Sequence, residues 1–475
     1  MNINIERIET LLRKLKSEDQ WGTYYMGKFY FTIATNKKRS EVGLTDDKKE
    51  LSPEMQLHLQ QENFPALFHE YIHYLHELST VIGNIGISLD LSAKAVFSNW
   101  LDPNIKSSMS NGINKKRSDL LNIYSKVIIT KDVLFGNANE ILNGKFIEVK
   151  NIEYIEQNIY LLEEITFIEN KLSIPKIHFT QLIEYKTVSE HLLFGKYFLY
   201  EGLAYELDRI VDMQVKKLTE IKDYCKGTEY TVLRRLSQYL FPDIEKQTYL
   251  CIASLSLQYI DCGRTFIKMV ERVRENCKLG FSQEEIVKIL KEETSSLLKN
   301  KQNDFNDAQD EYKNVFMKRK LLFKAFEYLS DNIKKLYSER IENPTFEVDY
   351  VFQGKYGELL NTAQICDYMY LFTDDEEYMR DFIGTSIDLE TSSVLKTLLT
   401  YDHYYTSHKI FSTTTIEQQE STCPFFYCCD LPLRKTHTNI CKTKPWRIFE
   451  ISSNSDNQYC WYGQGVLETK GINEI

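Results

Sequence analysis

The stretch Ala66-Leu67-Phe68-His69-Glu70-Tyr71-Ile72-His73-Tyr74-Leu75-His76-Glu77-Leu78 decides how this chain is read. It follows Pro65, which a first helical turn tolerates, and runs to Val81 without a breaker, so it predicts a helix. In a helix, His69 and His73 stand one turn apart on one face, about 5–6 Å from each other, and both imidazoles can reach one zinc ion. Glu70, rotated by one position, stands beside them, where a carboxylate can take a proton from a metal-bound water and return it to a leaving group. Residues 66–68 are apolar and Tyr71, Ile72, Tyr74 and Leu75 are uncharged, which suits a buried helix rather than a solvated one. His76 shares the face but lies about 10 Å of rise beyond His69, too far to join the same tetrahedral site.

A second informative run is Leu199-Tyr200-Glu201-Gly202-Leu203-Ala204-Tyr205-Glu206-Leu207-Asp208. Gly202 and Ala204 are small enough to let another helix approach closely, and Glu201, Tyr205 and Asp208 share one face at i, i+4 and i+7. With its HExxH helix, the chain resembles the zinc metallopeptidases of the zincin group. The metzincin branch continues with a Gly and a third His, and those places hold His76 and Ser79 here. The Glu201-Gly202-Leu203-Ala204 run instead looks like the glutamate-bearing helix of gluzincins.

That resemblance implies Zn2+ held by His69, His73 and Glu201, a fourth position left for water, Glu70 as general base, and Asp208 or Tyr205 orienting a ligand imidazole or stabilising an oxyanion. The pattern departs from thermolysin-like sequences at Tyr205, where they carry Asp. Glu77, His178 and His191 stand as rival third ligands, His191 on the same expected helix as Glu201. Gly384-Thr385-Ser386-Ile387-Asp388 matches the start of an aspartate-ligand marker but lacks its Tyr-Gly continuation, and is read as coincidence.

Working outward, residues 4–17 carry Ile5, Ile8, Leu11, Leu12 and Leu15 at helical spacing. Residues 22–35 are β-branched and aromatic, as one strand or a short hairpin requires, and a charged loop follows over 36–49. Short strands are expected between about 126 and 150, around Gly136 and Gly144, with everything beyond them helical. A long helix is expected over 187–222, and long exposed helices over 281–340. Thr373 and Glu376 form a capping box that opens a helix. The fold class is mainly α (α+β): a zincin-like core with a small sheet and the HExxH helix over 1–225, with an insertion at about 102–175, then a helical region over 226–415 and a Cys-rich tail over 416–475.

Of the ten cysteines, Cys423, Cys428, Cys429, Cys441 and Cys460 crowd that tail with His437. No paired CxxC unit occurs, so a structural zinc, plain reduced thiols and a redox role all stay open. Arg434, Lys435, Lys442, Lys444 and Arg447, with Trp446, make a basic aromatic patch that fits a solvated loop face, an acidic partner, a nucleic acid or the protein's own body.

The composition is 43% hydrophobic and 27% charged with 9 Pro and 19 Gly, which excludes collagen-like and disordered chains. A net charge of −10 disfavours nucleic-acid binding outside the basic tail. The first residues show no secretory signal and no apolar run reaches membrane-spanning length, so the expected location is the cytoplasm, with reduced thiols.

The expected function is a zinc-dependent metallopeptidase that cleaves an intracellular protein or peptide substrate and is restrained by a regulatory partner, the insertion or the tail. The alternative is a non-catalytic metal-binding or scaffold protein acting through its helical surface and basic tail. A zinc hydrolase of a non-peptide amide or ester would use the same residues.

Overall fold

The computed structural model describes residues 22–25, 30–34, 68–100, 117–136, 145–163, 166–218, 220, 227–314, 316–360, 362, 369–372, 377–380, 389–407, 420–426, 429, 431–448 and 460–471. In chain order its first elements are β1 (Gly22–Tyr25), β2 (Tyr30–Ala34), α1 (68–79), α2 (Val81–Trp100), α3 (Arg117–Phe135), β3 (Lys145–Glu163), β4 (Thr166–Ile183), β5 (Lys186–Leu193) and α4 (Lys196–Val215). A helical half follows: α5 (Thr228–Leu240), α6 (Lys246–Ser256), α7 (Cys262–Lys278), α8 (Gln283–Asn300), α9 (Gln302–Asn314), α10 (Lys320–Glu342), α11 (Phe346–Phe352) and α12 (Tyr356–Leu360). The chain then forms β6 (Met369–Phe372), β7 (Glu377–Arg380), α13 (Leu389–Ser407), the short α14 (Pro432–Thr436) and α15 (Thr438–Thr443), and α16 (Trp461–Lys470). One sheet has the order β1-β2-β6-β7, with β2 and β6 parallel, and the other is the antiparallel β3-β4-β5. The architecture is mainly helical, and no helix among the described residues is long and apolar enough to cross a membrane.

Helix α1 forms where the HExxH run predicts it and is enclosed on most of its circumference. Phe68, Tyr71, Ile72, Tyr74, Leu75 and Leu78 are fully buried, each stabilising the fold by roughly 1.5–3 kcal/mol on burial. The helix breaks at Thr80, whose hydroxyl donates to His76 O at 2.5 Å, and the chain resumes as α2. The break requires Gly83, where a Cβ would lie 2.3 Å from Glu77 O. A second close approach joins α4 to α5: a Cβ on Gly202 would lie 2.5 Å from Leu233 Cβ, as the small residue in that run predicts.

Four expectations from the sequence are corrected. Residues 126–130 belong to α3, not to a strand, because Val127, Thr130, Val133 and Leu134 form a buried helical stripe that overrides β-branched propensity. Thr130 Oγ1 ties that helix to the sheet, accepting from Tyr160 N at 2.7 Å. The region after 150 is not all helical, since β3 and β4 run on as a long hairpin. Ile152, Ile155 and Ile159 imitate a helical spacing, and register shifts between Phe146 and Glu148 and between Val149 and Asn151 disturb the strand's period of two. The helix expected over 187–222 is strand β5 followed by α4, so His191 is not on the helix of Glu201. Thr373 and Glu376 of the expected capping box lie outside the described residues, and Glu377–Arg380, expected to continue that helix, is strand β7.

The helices over 281–340 are present, α10 burying one face through Leu322, Phe326, Leu329, Ile333 and Leu336. The β1–β2 pair is the hairpin anticipated near residue 22. The helix over 4–17, the loop over 36–49, Pro65 and Gly384–Asp388 lie outside the described residues.

A fully buried polar cluster anchors the end of α1 to the helical half. His76 Nε2 donates to Glu347 Oε1 at 3.1 Å, Ser254 donates to the same oxygen at 2.7 Å, and Arg340 pairs with Glu347 while donating to Ser79 Oγ at 2.9 Å. Removing one partner of such a buried ion pair costs about 3–5 kcal/mol. Burial pushes His76 down to about 4 despite Glu347. The unfolded chain therefore takes up this proton first, and stability falls as pH drops from about 6.5 towards 4. Between pH 7 and 5, the wild type should lose about 2 kcal/mol more stability than His76→Gln, which keeps a donor but does not titrate. Denaturant titrations of both proteins, freed of metal by chelation, check this, and parallel pH profiles would contradict it.

Candidate metal centre

Helices α1 and α4 supply the site. Tyr200 holds them in register: its ring stacks 6.2 Å from that of His73 and lies tilted 5.2 Å from that of His76, and its hydroxyl meets Thr80 Oγ1 at 3.1 Å. The next residue, Glu201, then faces both histidines. His69 Nε2 and His73 Nε2 are 3.0 Å apart, and Glu201 Oε2 is 3.4 Å from each. These edges match one face of a tetrahedron, since donors about 2.1 Å from a central zinc ion stand about 3.4 Å from one another.

Among the described residues, His69, His73 and Glu201 are the one such group with ligand atoms all within 4.8 Å of one another, and they could hold a metal ion. The side chains of His69 and Glu201 keep 11% and 15% exposure, so the group meets solvent on one side.

Behind His69 lies Asp208, which accepts from Nδ1 at 2.8 Å. That bond places the proton on Nδ1 and leaves the Nε2 lone pair facing the other two donors, the arrangement in which a carboxylate orients a metal-binding imidazole. Of the two residues offered for this role, Asp208 fills it. Tyr205 packs its ring 5.2 Å from Tyr230 and under Arg209 instead.

The electrostatics are those of a cation site. Burial opposes charge on His69, yet the hydrogen bonds of Asp208 and Glu201 lift it well above its usual value. Burial lowers His73, and it pushes Asp208 up to about 6. Burial acts upward on Glu201 as well, but the two imidazoles hold it well below the usual carboxylate range. Glu70 is buried at 6% exposure, and its charge is among those felt at His69.

The rival ligands lie elsewhere. His178 on β4 pairs with Glu153 at 3.1 Å and stands across the ladder from His191 on β5. His76 is committed to Glu347. Glu77, at 1% exposure, is outside the donor group, its charge acting on Lys196 and Tyr200.

Two neighbours escaped the sequence reading. Tyr230 brings its ring 6.0 Å from that of His69, and Glu229 is pushed up to about 7 by burial and by the charge of Glu201. Both begin α5 and reach the site only through its close packing on α4, a tertiary contact with no local signal.

Asp208→Asn should weaken metal affinity about 10–100-fold while leaving the stoichiometry at saturation unchanged. Competition against a chromophoric chelator measures this, and an unchanged affinity would remove Asp208 from the site.

Comparison with known proteins gave no matching family model, no matching curated protein and no matching solved structure.

Proposed function

We propose that the chain is a zinc-dependent metallopeptidase of the gluzincin type, hydrolysing peptide bonds of an intracellular protein. The observation that carries this reading is the three-donor group of His69, His73 and Glu201, open to solvent on one side, with no fourth protein donor among the described residues. A catalytic zinc keeps three protein ligands and one free position, whereas a structural zinc is closed by a fourth. His76 and His191, which would favour a scaffold role by filling that position, are engaged elsewhere. Two imidazoles and a carboxylate are also the donor set that suits zinc.

Zinc, when bound, supplies Lewis acidity that polarises a carbonyl and makes water a usable nucleophile near neutral pH. The chain's own residues do the rest. Glu70 takes the proton of the attacking water and passes it to the leaving amine. Asp208 keeps His69 in the tautomer that presents Nε2. Tyr200 and the apolar residues of α1 fix the spacing of the donors and exclude water from behind them.

Replacing Glu70 by Gln keeps shape and neutralises the base, so metal content should be retained and turnover reduced about 10²–10⁴-fold. The test incubates wild type and Glu70→Gln with a proteome-derived peptide library and reads new termini by mass spectrometry. The account expects cleavages that are zinc-dependent and vanish in the variant. Identical cleavage by both proteins, or none by zinc-loaded wild type across the library, would contradict it.

A further inference from the structure

The tail concentrates positive charge. Residues 431–448 carry Arg434, Lys435, Lys442, Lys444 and Arg447 and no acidic residue, in a chain whose net charge is −10. The fold gathers part of this charge around a cleft of about 360 Å³, counted with the solvent at its mouth. Phe425, Phe426, Leu431, Leu433, Ile448 and Trp461 give the cleft an apolar wall, Arg434 lines it, and no acidic residue among the described ones does. Arg434 and Lys442 lie over the Phe426 ring at 5.3 and 5.1 Å, and Lys396 of α13 lies over the Trp461 ring at 3.3 Å. We propose that this cation-ringed cleft is a docking surface for an acidic segment of a partner protein, one apolar side chain of the segment entering the cleft while its carboxylates meet the cations. The surface shares no residue with the His69, His73 and Glu201 group and stands whether or not that group is catalytic.

The charge has no counterpart within the chain. Among the described residues, no carboxylate pairs with Arg434, Lys435 or Lys442; Arg434 donates instead to Phe426 O at 2.8 Å. The helical half behaves differently, pairing Arg272 with Glu293, Lys278 with Glu275, Lys291 with Asp349, and both Lys313 and Lys334 with Asp310. A ring face holds a cation in place without cancelling its charge, so the cations around the cleft are positioned but not neutralised. Lys435 and Lys442 are exposed and within reach of a partner.

The arrangement selects among anions. The cations come from α13, α14 and α15 rather than converging on one point, which suits several carboxylates along a chain better than a single headgroup. A nucleic acid fits less well. Trp446, the aromatic residue within the basic run, is 1% exposed and belongs to the tail's core, and Lys396 covers a face of Trp461, so neither offers a platform for bases. The net charge of −10 also repels a long phosphate backbone.

The thiols of the tail add apolar surface to the cleft and no metal site. Cys423, Cys429, Cys441 and Cys460 line it, but no three of their sulfurs approach within 4.8 Å of one another, and Cys428 lies outside the described residues.

The cleft is preformed. Cys423 N–H donates to Cys441 O at 2.8 Å and Ser421 N–H to Thr443 O at 2.8 Å, joining the segments on either side of it. Its unit docks on the helical half through α16, with Leu321 N–H donating to Glu468 at 3.2 Å and Arg319 Nε to Thr469 O at 3.3 Å. A surface already ordered loses little freedom on binding, which favours capture of a short segment.

The full-length protein tests this by calorimetric titration with a capped peptide of Glu and Asp residues interrupted by one Phe. Wild type should bind it with an affinity that falls as salt rises. The Lys435→Glu, Lys442→Glu double variant should bind at least about tenfold more weakly. Both positions are exposed, so its melting temperature and metal content should match those of wild type. Replacing the Phe of the peptide by Gly should also weaken binding. Absence of salt-sensitive binding, equal affinity of wild type and double variant, equal affinity for the two peptides, or tighter binding of an oligothymidine strand than of the acidic peptide would each overturn the proposal. Self-association of wild type at low salt that the double variant abolishes would assign the face to a second copy of the chain and overturn it as well.

Discussion

Two imidazole nitrogens and a carboxylate oxygen facing one another at 3.0–3.4 Å within a helical core are a constraint on everything around them. Lone pairs held that close repel unless a cation or a proton sits among them, and the low dielectric of the interior magnifies the repulsion. Against the effect of burial, the hydrogen bonds of Asp208 and Glu201 favour a proton on His69. A divalent ion bound among the three donors would satisfy all of them at once. The rest of the fold holds the donors in place against their repulsion.

That work is divided among three contacts. Burial of α1 on most of its sides fixes its rotation, so that His69 and His73 cannot turn away. Tyr200 bridges α1 and α4 one residue before Glu201. The His76, Glu347, Arg340 and Ser79 cluster pins the far end of α1 to α10 and α11. The cluster therefore contributes to rigidity beginning about one turn beyond His73, in the way preorganised sites require. Glu206, two residues before Asp208 and so on the other face of α4, plays a comparable part: Arg209, Arg234 and Lys246 converge on its fully buried carboxylate and hold α4 against α5 and α6.

The juxtaposition of the three donors was legible in sequence because its information is local. His69 and His73 are one turn apart, and Glu201 and Asp208 lie two turns apart on a single helix, so spacing alone predicts their shared faces. Legibility failed where tertiary packing decided. The β-branched run at 127–130 reads as a strand until its buried stripe against β3 is seen, and Ile152, Ile155 and Ile159 of β3 read as a helix because their spacing of three and four imitates a helical face within a regularly paired strand. Tyr230 and Glu229 carry no pattern of their own, and the close passage of Leu233 against Gly202 brings them towards His69 and Glu201.

The central claim is that His69, His73 and Glu201 together hold one metal ion with a position left open. Crystals grown with zinc and measured at the zinc absorption edge test it directly through the anomalous signal. The account predicts a peak about 2 Å from His69 Nε2, His73 Nε2 and a Glu201 oxygen, with non-protein density completing the coordination. No peak among these donors, or a peak there closed by a fourth protein side chain, would contradict it.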